Sequence, residues 1–117
     1  MTQMPLLKPT ADVAQALLLQ TLASAHKGRL NGIKAELLAQ KIGMHARMLR
    51  TLISNLREQG VAVVGTPETG YYIAQTPDEL NECCEFLRNR ALHSLKMEAR
   101  LRNLPLPTLL GQLNLNT

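Results

Sequence analysis

The sequence predicts a mainly α-helical protein with a small β-hairpin, in the α+β class, and two observations support this. Between residues 33 and 60, apolar residues recur at helical spacing in two short segments that meet at Gly43. A strand-forming run follows, then a turn containing Pro and Gly, then a second run. Two helices joined by a tight turn and followed by a hairpin form a winged helix-turn-helix.

The two helices are predicted from the period of their apolar residues. In the first, Leu37, Leu38 and Ile42 share one side, and Gly43 ends the helix where the chain must reverse. The second is expected over about residues 45–59 and ends near Gly60. Its apolar residues follow an i, i+3, i+4, i+7 pattern: Leu49, Leu52, Ile53 and Leu56. Each helix is therefore expected to bury one side.

The hairpin after Gly60 is expected to form the wing. Residues 61–64 and 71–73 have strand composition, and Thr66 to Gly70 supplies the turn between them. The turn carries Glu68 and no Lys or Arg, so it has no cation to place in a minor groove. We therefore expect a wing that contributes little to DNA binding.

A further helix is expected before this unit, over about residues 11–26, with Thr10 as its N-cap. It would complete a three-helix core and a winged domain over residues 1–75. The residues available for burial are Val13, Leu17, Leu18, Leu22 and Ala25.

A long helix is predicted over residues 76–103. Thr76 to Glu79 forms a capping box with Pro at the first helical position, which is a strong helix start. The helix has more apolar residues than folding back on so small a domain requires, which predicts a homodimer in which a second copy covers them. The alternative is that this helix folds back over the winged core of its own chain. The residues proposed for the dimer contact are Leu80, Leu87, Ala91 and Leu95.

The segment over residues 104–117 has no charge, two prolines and leucines without one clean period. This composition indicates a flexible tail that orders on a partner. Gln112, Leu113 and Leu115 resemble the Gln-Leu-x-Leu core of peptides that dock on the bacterial replication sliding clamp, although the terminal Phe or Leu anchor is missing. The alternative is a tail that packs on the protein itself.

From Ile33 to about Arg90 the chain resembles the small winged-helix proteins of bacteriophages and prophages, whose DNA-binding unit is similar to the N-terminal domain of the biotin repressor. The matching positions are Glu36, Leu37, Leu38, Ala39, Gly43, Arg47, Leu49, Arg50, Ile53, Leu56, Arg57, Gly60 and the run from Gly70 to Ala74. The resemblance implies a duplex-DNA-binding fold. Where such proteins place a Ser or Thr cap, this chain has Met44 and His45, which are weak N-caps.

The candidate DNA-binding residues follow from the helical period. With the apolar residues of the second helix inside, its polar and basic residues lie outside, where Arg side chains can reach guanine edges or phosphates. On the first helix of the pair, two lysines are expected to contact phosphates, whereas Arg57 is expected to pair with acids. The full candidate set is His45, Arg47, Arg50, Thr51, Ser54, Lys34 and Lys41.

The charge distribution agrees with a polyanionic partner. The chain carries a formal net charge of +4. Residues 1–75 hold eight Lys or Arg against four acids, whereas residues 76–117 hold five of each, so the division at residue 75 assigns the whole excess to the winged part. The alternative is ordinary solubility charge.

Patterns for catalysis, metal binding and single-strand binding are absent from the sequence. His26, His45 and His93 lie in three separate segments, and none has a Cys, Asp or Glu at metal-ligand spacing. There is no Gly-rich phosphate loop. With no Trp, one Phe and two Tyr, the chain also lacks aromatic platforms for stacking bases. We therefore expect neither an enzyme nor a cofactor.

Cysteine use and the N-terminal residues predict a cytoplasmic protein. Cys83 and Cys84 are neighbours, which gives neither a disulfide framework nor a CxxC motif. Residues 1–8 do not form a signal-like pattern, and the apolar run over residues 14–19 is too short to cross a bilayer.

Together these features predict a cytoplasmic duplex-DNA-binding protein that acts in transcriptional control or phage replication. The alternative is a protein-interaction adaptor that uses the winged fold, with the C-terminal peptide as its docking element.

Overall fold

The computed structural model describes residues 11–113, and these form a mostly helical α+β structure, as predicted. The elements in chain order are α1 (Ala11–Ala25), a 3-10 helix (Arg29–Asn31), α2 (Ala35–Ile42), α3 (Ala46–Glu58), β1 (Val63–Thr66), β2 (Gly70–Ile73), α4 (Pro77–Arg102) and α5 (Leu106–Gln112). The chain divides into two compact units, and the division falls within α4, between Cys83 and Cys84.

The sheet of the first unit is a two-stranded antiparallel hairpin. β1 and β2 pair in a register that sets Val63 opposite Ile73 and Thr66 opposite Gly70. The segment between α1 and α2 joins the free edge of β2 at two bridges. At the first, Lys27 lies beside Ile73, whose carbonyl accepts from the Gly28 N–H and whose N–H donates to the His26 carbonyl, both at 2.9 Å. At the second, the Ile33 N–H donates to the Tyr71 carbonyl at 2.9 Å and the Ile33 carbonyl accepts from the Tyr71 N–H at 2.7 Å. This bridge places the start of α2 beside the hairpin.

The core of the first unit is built from one side of each helix and from the hairpin. From α1 it takes Ala14, Leu18 and Leu22, which recur every four residues. The expected burial of Leu18 and Leu22 is confirmed, but Val13, Leu17 and Ala25 are exposed. Most residues of α1 are apolar, so the period alone did not single out the side that the other helices would cover.

The start of α4 ties the 3-10 helix to the hairpin. As the capping box predicted, the Thr76 hydroxyl accepts from the Glu79 N–H at 3.1 Å. The buried Glu79 carboxylate in turn accepts from the backbone N–H of Gln75 at 2.8 Å and of Arg29 at 2.9 Å, and these two bonds lower the pKa of Glu79. The Arg29 guanidinium also contacts Glu82 at 2.6 Å. Two acids of α4 therefore hold the Arg29 segment.

The tip of the hairpin lies against the start of α2. The Lys34 ammonium donates to the carbonyl oxygens of Pro67 and Glu68. Gly70 has φ 75°, and a Cβ atom there would collide with the carbonyl oxygen of Ile33. Gly70 therefore satisfies two requirements at once, a left-handed backbone and a close approach of two chain segments.

Replacing Gly70 by Ala should destabilise the first unit more than the same change at Gly60. Gly60 also has a positive φ, 90°, but a Cβ atom there would meet nothing within 4 Å. We expect Gly60→Ala to cost about 1 kcal/mol for the left-handed backbone, and Gly70→Ala on the order of 3 kcal/mol because steric collision is added. Denaturant unfolding measures both values. Equal losses in the two variants would show that the hairpin tip is not pressed against Ile33.

The second unit contains the remainder of α4 and the short helix α5. Asn103 adopts a left-handed conformation with φ 58° and ends α4, and the Leu104 N–H donates to the Ala99 carbonyl at 2.8 Å. Among its described residues only Ala99 and Leu109 are buried. Within the segment predicted to be a flexible tail, residues 106–112 form a short helix, in which three leucines at i, i+3 and i+4 give one apolar side. Residues 114–117 lie outside the described part of the chain.

Candidate nucleic-acid interface

The outer side of α3 consists of polar and basic residues. Arg47, Arg50, Thr51 and Ser54 are all exposed, and the four apolar residues predicted to face inward are all buried. The only acid in α3 is Glu58, at its last residue. The N-terminal two-thirds of α3 therefore presents two guanidinium groups and two hydroxyls to solvent. This part of the helix contains no carboxylate.

His45 caps the start of α3, which the sequence analysis did not expect. It is the N-cap residue, in an extended conformation, and its Nδ1 accepts from the Met48 N–H at 3.3 Å. An imidazole nitrogen that accepts a hydrogen bond carries no proton, so in the neutral ring the proton lies on Nε2. The cap therefore leaves the exposed side chain with one N–H donor, at the position where α3 begins.

The effect of this cap can be measured with two substitutions at one position. His45→Ala removes the acceptor and should lower the free energy of unfolding by about 1 kcal/mol. His45→Asp supplies a better acceptor and a negative charge at a helix N-terminus, so it should be at least as stable as the original protein. Denaturant unfolding at neutral pH checks both. If His45→Ala were as stable as the original, the imidazole would contribute nothing as a cap.

The Thr51 hydroxyl and the Arg57 guanidinium bind main-chain carbonyl groups. Thr51 donates to the Arg47 carbonyl at 3.4 Å, which leaves its oxygen lone pairs for an external donor. Arg57, which was expected to pair with acids, donates from Nε to the Val63 carbonyl at 2.8 Å. Arg57 is therefore a structural residue that connects α3 to β1.

The two lysines predicted to bind phosphates differ in what they contact. Lys34 is engaged by the hairpin tip, and the two carbonyl bonds leave one of its three N–H donors for another partner. Lys41 is exposed in the last turn of α2. It borders a surface pocket that Leu37, Gln40 and His26 also line. Lys41 is thus the freer of the two candidates for a phosphate contact.

The residues proposed for protein contacts lie on α4 and at the end of α5. Leu80 and Leu87 are 48% and 41% exposed, Ala91 is exposed, and Leu95 is half-buried. In the clamp-like peptide, Gln112 is the last residue of α5 and Leu113 follows it as the C-cap, both exposed, whereas Leu115 lies outside the described residues. The dimer contact and the docking peptide both remain predictions.

Two kinds of feature are absent from residues 11–113: a metal-ligating cluster and a helix capable of crossing a membrane. No group of three or more His, Cys, Asp or Glu side chains in this range is placed to hold a metal ion. Cys83 is buried and its thiol donates to the Val63 carbonyl at 3.3 Å, while Cys84 is exposed. None of the helices in this range combines the length and apolar character that a membrane span requires.

Comparison of the chain with protein-family models, with curated proteins and with solved structures found no match.

Proposed function

We propose that the chain is a winged helix-turn-helix protein that binds duplex DNA through α3, in the cytoplasm, in transcriptional control or in phage replication. The observation that carries the proposal is the outer side of α3, where Arg47, Arg50, Thr51 and Ser54 are exposed together. A helix of this diameter fits the major groove, where each base pair presents a distinct set of donors and acceptors. Arg can bind guanine through two hydrogen bonds, and hydroxyls can bind bases or phosphates.

The connection between α2 and α3 supports the helix-turn-helix reading. Gly43 is left-handed with φ 69° and donates to the Gln40 carbonyl at 3.2 Å, and Met44 donates to the Ala39 carbonyl at 3.0 Å. These bonds end α2 tightly and allow α3 to begin after only three intervening residues. The bridge between Ile33 and Tyr71 also agrees with the short strand segment that a winged helix places before this helix pair.

Replacing Arg47 and Arg50 by Ala should weaken duplex binding and leave folding intact. Both side chains are exposed, so the change in stability should stay within about 0.5 kcal/mol. Each arginine that reads a base should cost about 1–3 kcal/mol of binding free energy. Fluorescence anisotropy with a labelled duplex, preferably one chosen by selection from random sequences, measures the change.

Two control variants accompany this experiment. Arg88→Ala combined with Arg102→Ala removes the same charge from α4, and Glu68→Ala alters the hairpin tip; neither should lower the affinity as far as the α3 variant does. Unchanged affinity in the α3 double variant, with normal binding by the original protein, would falsify the groove assignment.

A second candidate function is a protein-interaction adaptor. The observation that favours it is the hairpin tip, which carries the exposed Glu68 and whose nearby Lys34 is already bound to its carbonyl groups. A titration with duplex at two salt concentrations separates the candidates, because binding through phosphates weakens steeply as salt rises. An adaptor would show little duplex affinity at either concentration.

We further propose that the protein is a homodimer through the exposed apolar residues of α4. Leu87→Asp places a charge where a second copy would cover it, so it should give monomers that bind a duplex with two half-sites poorly. Light scattering at tens of micromolar measures the assembly. Asn89→Asp is the control for that measurement alone, because it adds the same charge at a polar, exposed position of the same helix. A monomeric original protein at that concentration would overturn the dimer proposal.

A further inference from the structure

The division of the chain into units changes where its positive charge lies. Residues 1–83 hold eight Lys or Arg and seven acids, while residues 84–117 hold five Lys or Arg and two acids. The boundary after Cys83 assigns three acids of α4 to the first unit: Asp78, Glu79 and Glu82. Glu79 and Glu82 contact Arg29 in that unit. Most of the net charge of +4 therefore belongs to the second unit, contrary to the division at residue 75.

Within the second unit, four polar residues of α4 lie on one side of the helix. Asn89, His93, Lys96 and Arg100 are spaced i, i+4, i+7 and i+11, a spacing that aligns residues along a helix, and all four are exposed. We name these four residues the polar row of α4. The most buried apolar residues of the same stretch lie on a neighbouring side: Leu92, Leu95 and Ala99.

The cations of the polar row are not neutralised by the acids of their own unit. Glu98 is bound by Arg102, with Nε and Oε2 2.8 Å apart. Glu85 lies one helical turn before Asn89, away from the two cations. Within residues 11–113, neither Lys96 nor Arg100 forms a salt bridge. Arg100 lies in the last turn of α4, where the helix dipole favours a cation, whereas Lys96 lies before that turn and has no such support.

We propose that the polar row is a second DNA-binding surface, which contacts the phosphates of the duplex independently of base sequence. The inference rests on the proposed duplex binding by α3 and adds a contact region in the other unit. From Asn89 to Arg100 the row is about 16 Å long. Along the duplex axis, one strand presents about five phosphates over that length. Lys, Arg, Asn and His are all donors that bind phosphate oxygens.

The chemistry of the row favours nucleic acid over an acidic protein. The centres of protein interfaces are apolar and depend on a few buried aromatic or aliphatic anchors. None of the four residues of the row is apolar. A phosphate backbone, by contrast, needs only donors and positive charge at regular intervals.

The test is the salt dependence of duplex binding by Lys96→Gln combined with Arg100→Gln in the full chain. Each phosphate contact contributes about 0.9 to the slope of log affinity against log salt, so the slope should fall in magnitude by about 2 for a random-sequence duplex. The matched control is Arg88→Gln combined with Arg102→Gln, which removes the same charge from other sides of α4 and should leave the slope nearly unchanged. Thermal unfolding checks that both variants fold.

Each outcome bears on the inference. A reduced slope in the polar-row variant alone supports it. Equal reductions of the slope in both variants would mean that net charge, and not the row, sets the slope. An unchanged slope in the polar-row variant would show that the row does not contact the duplex. The inference fails in either case. If polyglutamate at equal charge displaced the duplex from the original protein but not from the polar-row variant, that result would assign the row to acidic proteins and overturn the inference. If the original protein shows no salt-dependent duplex affinity, the proposed function itself fails. If the α3 variant weakens duplex binding but the polar-row variant leaves the salt dependence unchanged, only the present inference is refuted.

Discussion

The proposed interface depends on one constraint, the burial of a single side of α3. Leu49, Leu52, Ile53 and Leu56 are each at most 1% exposed. Burying one such side chain contributes about 1.5–3 kcal/mol to the free energy of folding. Because all four lie on one side, α3 has a single favourable rotation about its axis. Turning the helix by one residue position would expose these apolar side chains and move charged side chains into the core. The outward direction of Arg47 and Arg50 is therefore a consequence of hydrophobic packing on the opposite side, and no contact of the arginines themselves is needed.

The elements around α3 are held by polar groups whose partners are distant in sequence. Lys34 bonds to carbonyls more than thirty residues away, and Glu79 accepts the N–H of Arg29 fifty residues away. Each bond satisfies a main-chain group that a loop would otherwise leave without a protein partner. The hairpin is thus fixed between the start of α2 and the start of α4. That the hairpin contributes little to DNA binding stays a prediction.

Features that depend on local pattern were predictable from the sequence. The bounds of α3 and the pairing of the hairpin followed from apolar period and turn composition, because both are decided within a few residues. The exposed side of α1 was not predictable, since a helix that is apolar on most sides needs its tertiary neighbours to define the inside. His45 was misjudged for another reason: cap preferences favour Ser, Thr, Asp and Asn, yet a neutral imidazole also offers an acceptor.

The boundary between the two units, after Cys83, changes which part of the chain carries the positive charge. Counted to residue 75, the first part of the chain holds the entire positive excess, but the acids at the start of α4 fold with it and leave it close to neutral. A nearly neutral unit with arginines concentrated on one helix is suited to select a site, because base contacts carry sequence information. It is less suited to supply the sequence-independent affinity that comes from neutralising phosphates. Under the two proposals, the second, more basic unit would supply the affinity that the first lacks, because Lys96 and Arg100 of α4 form no salt bridge within residues 11–113. The two proposed surfaces would then divide specificity and affinity between them.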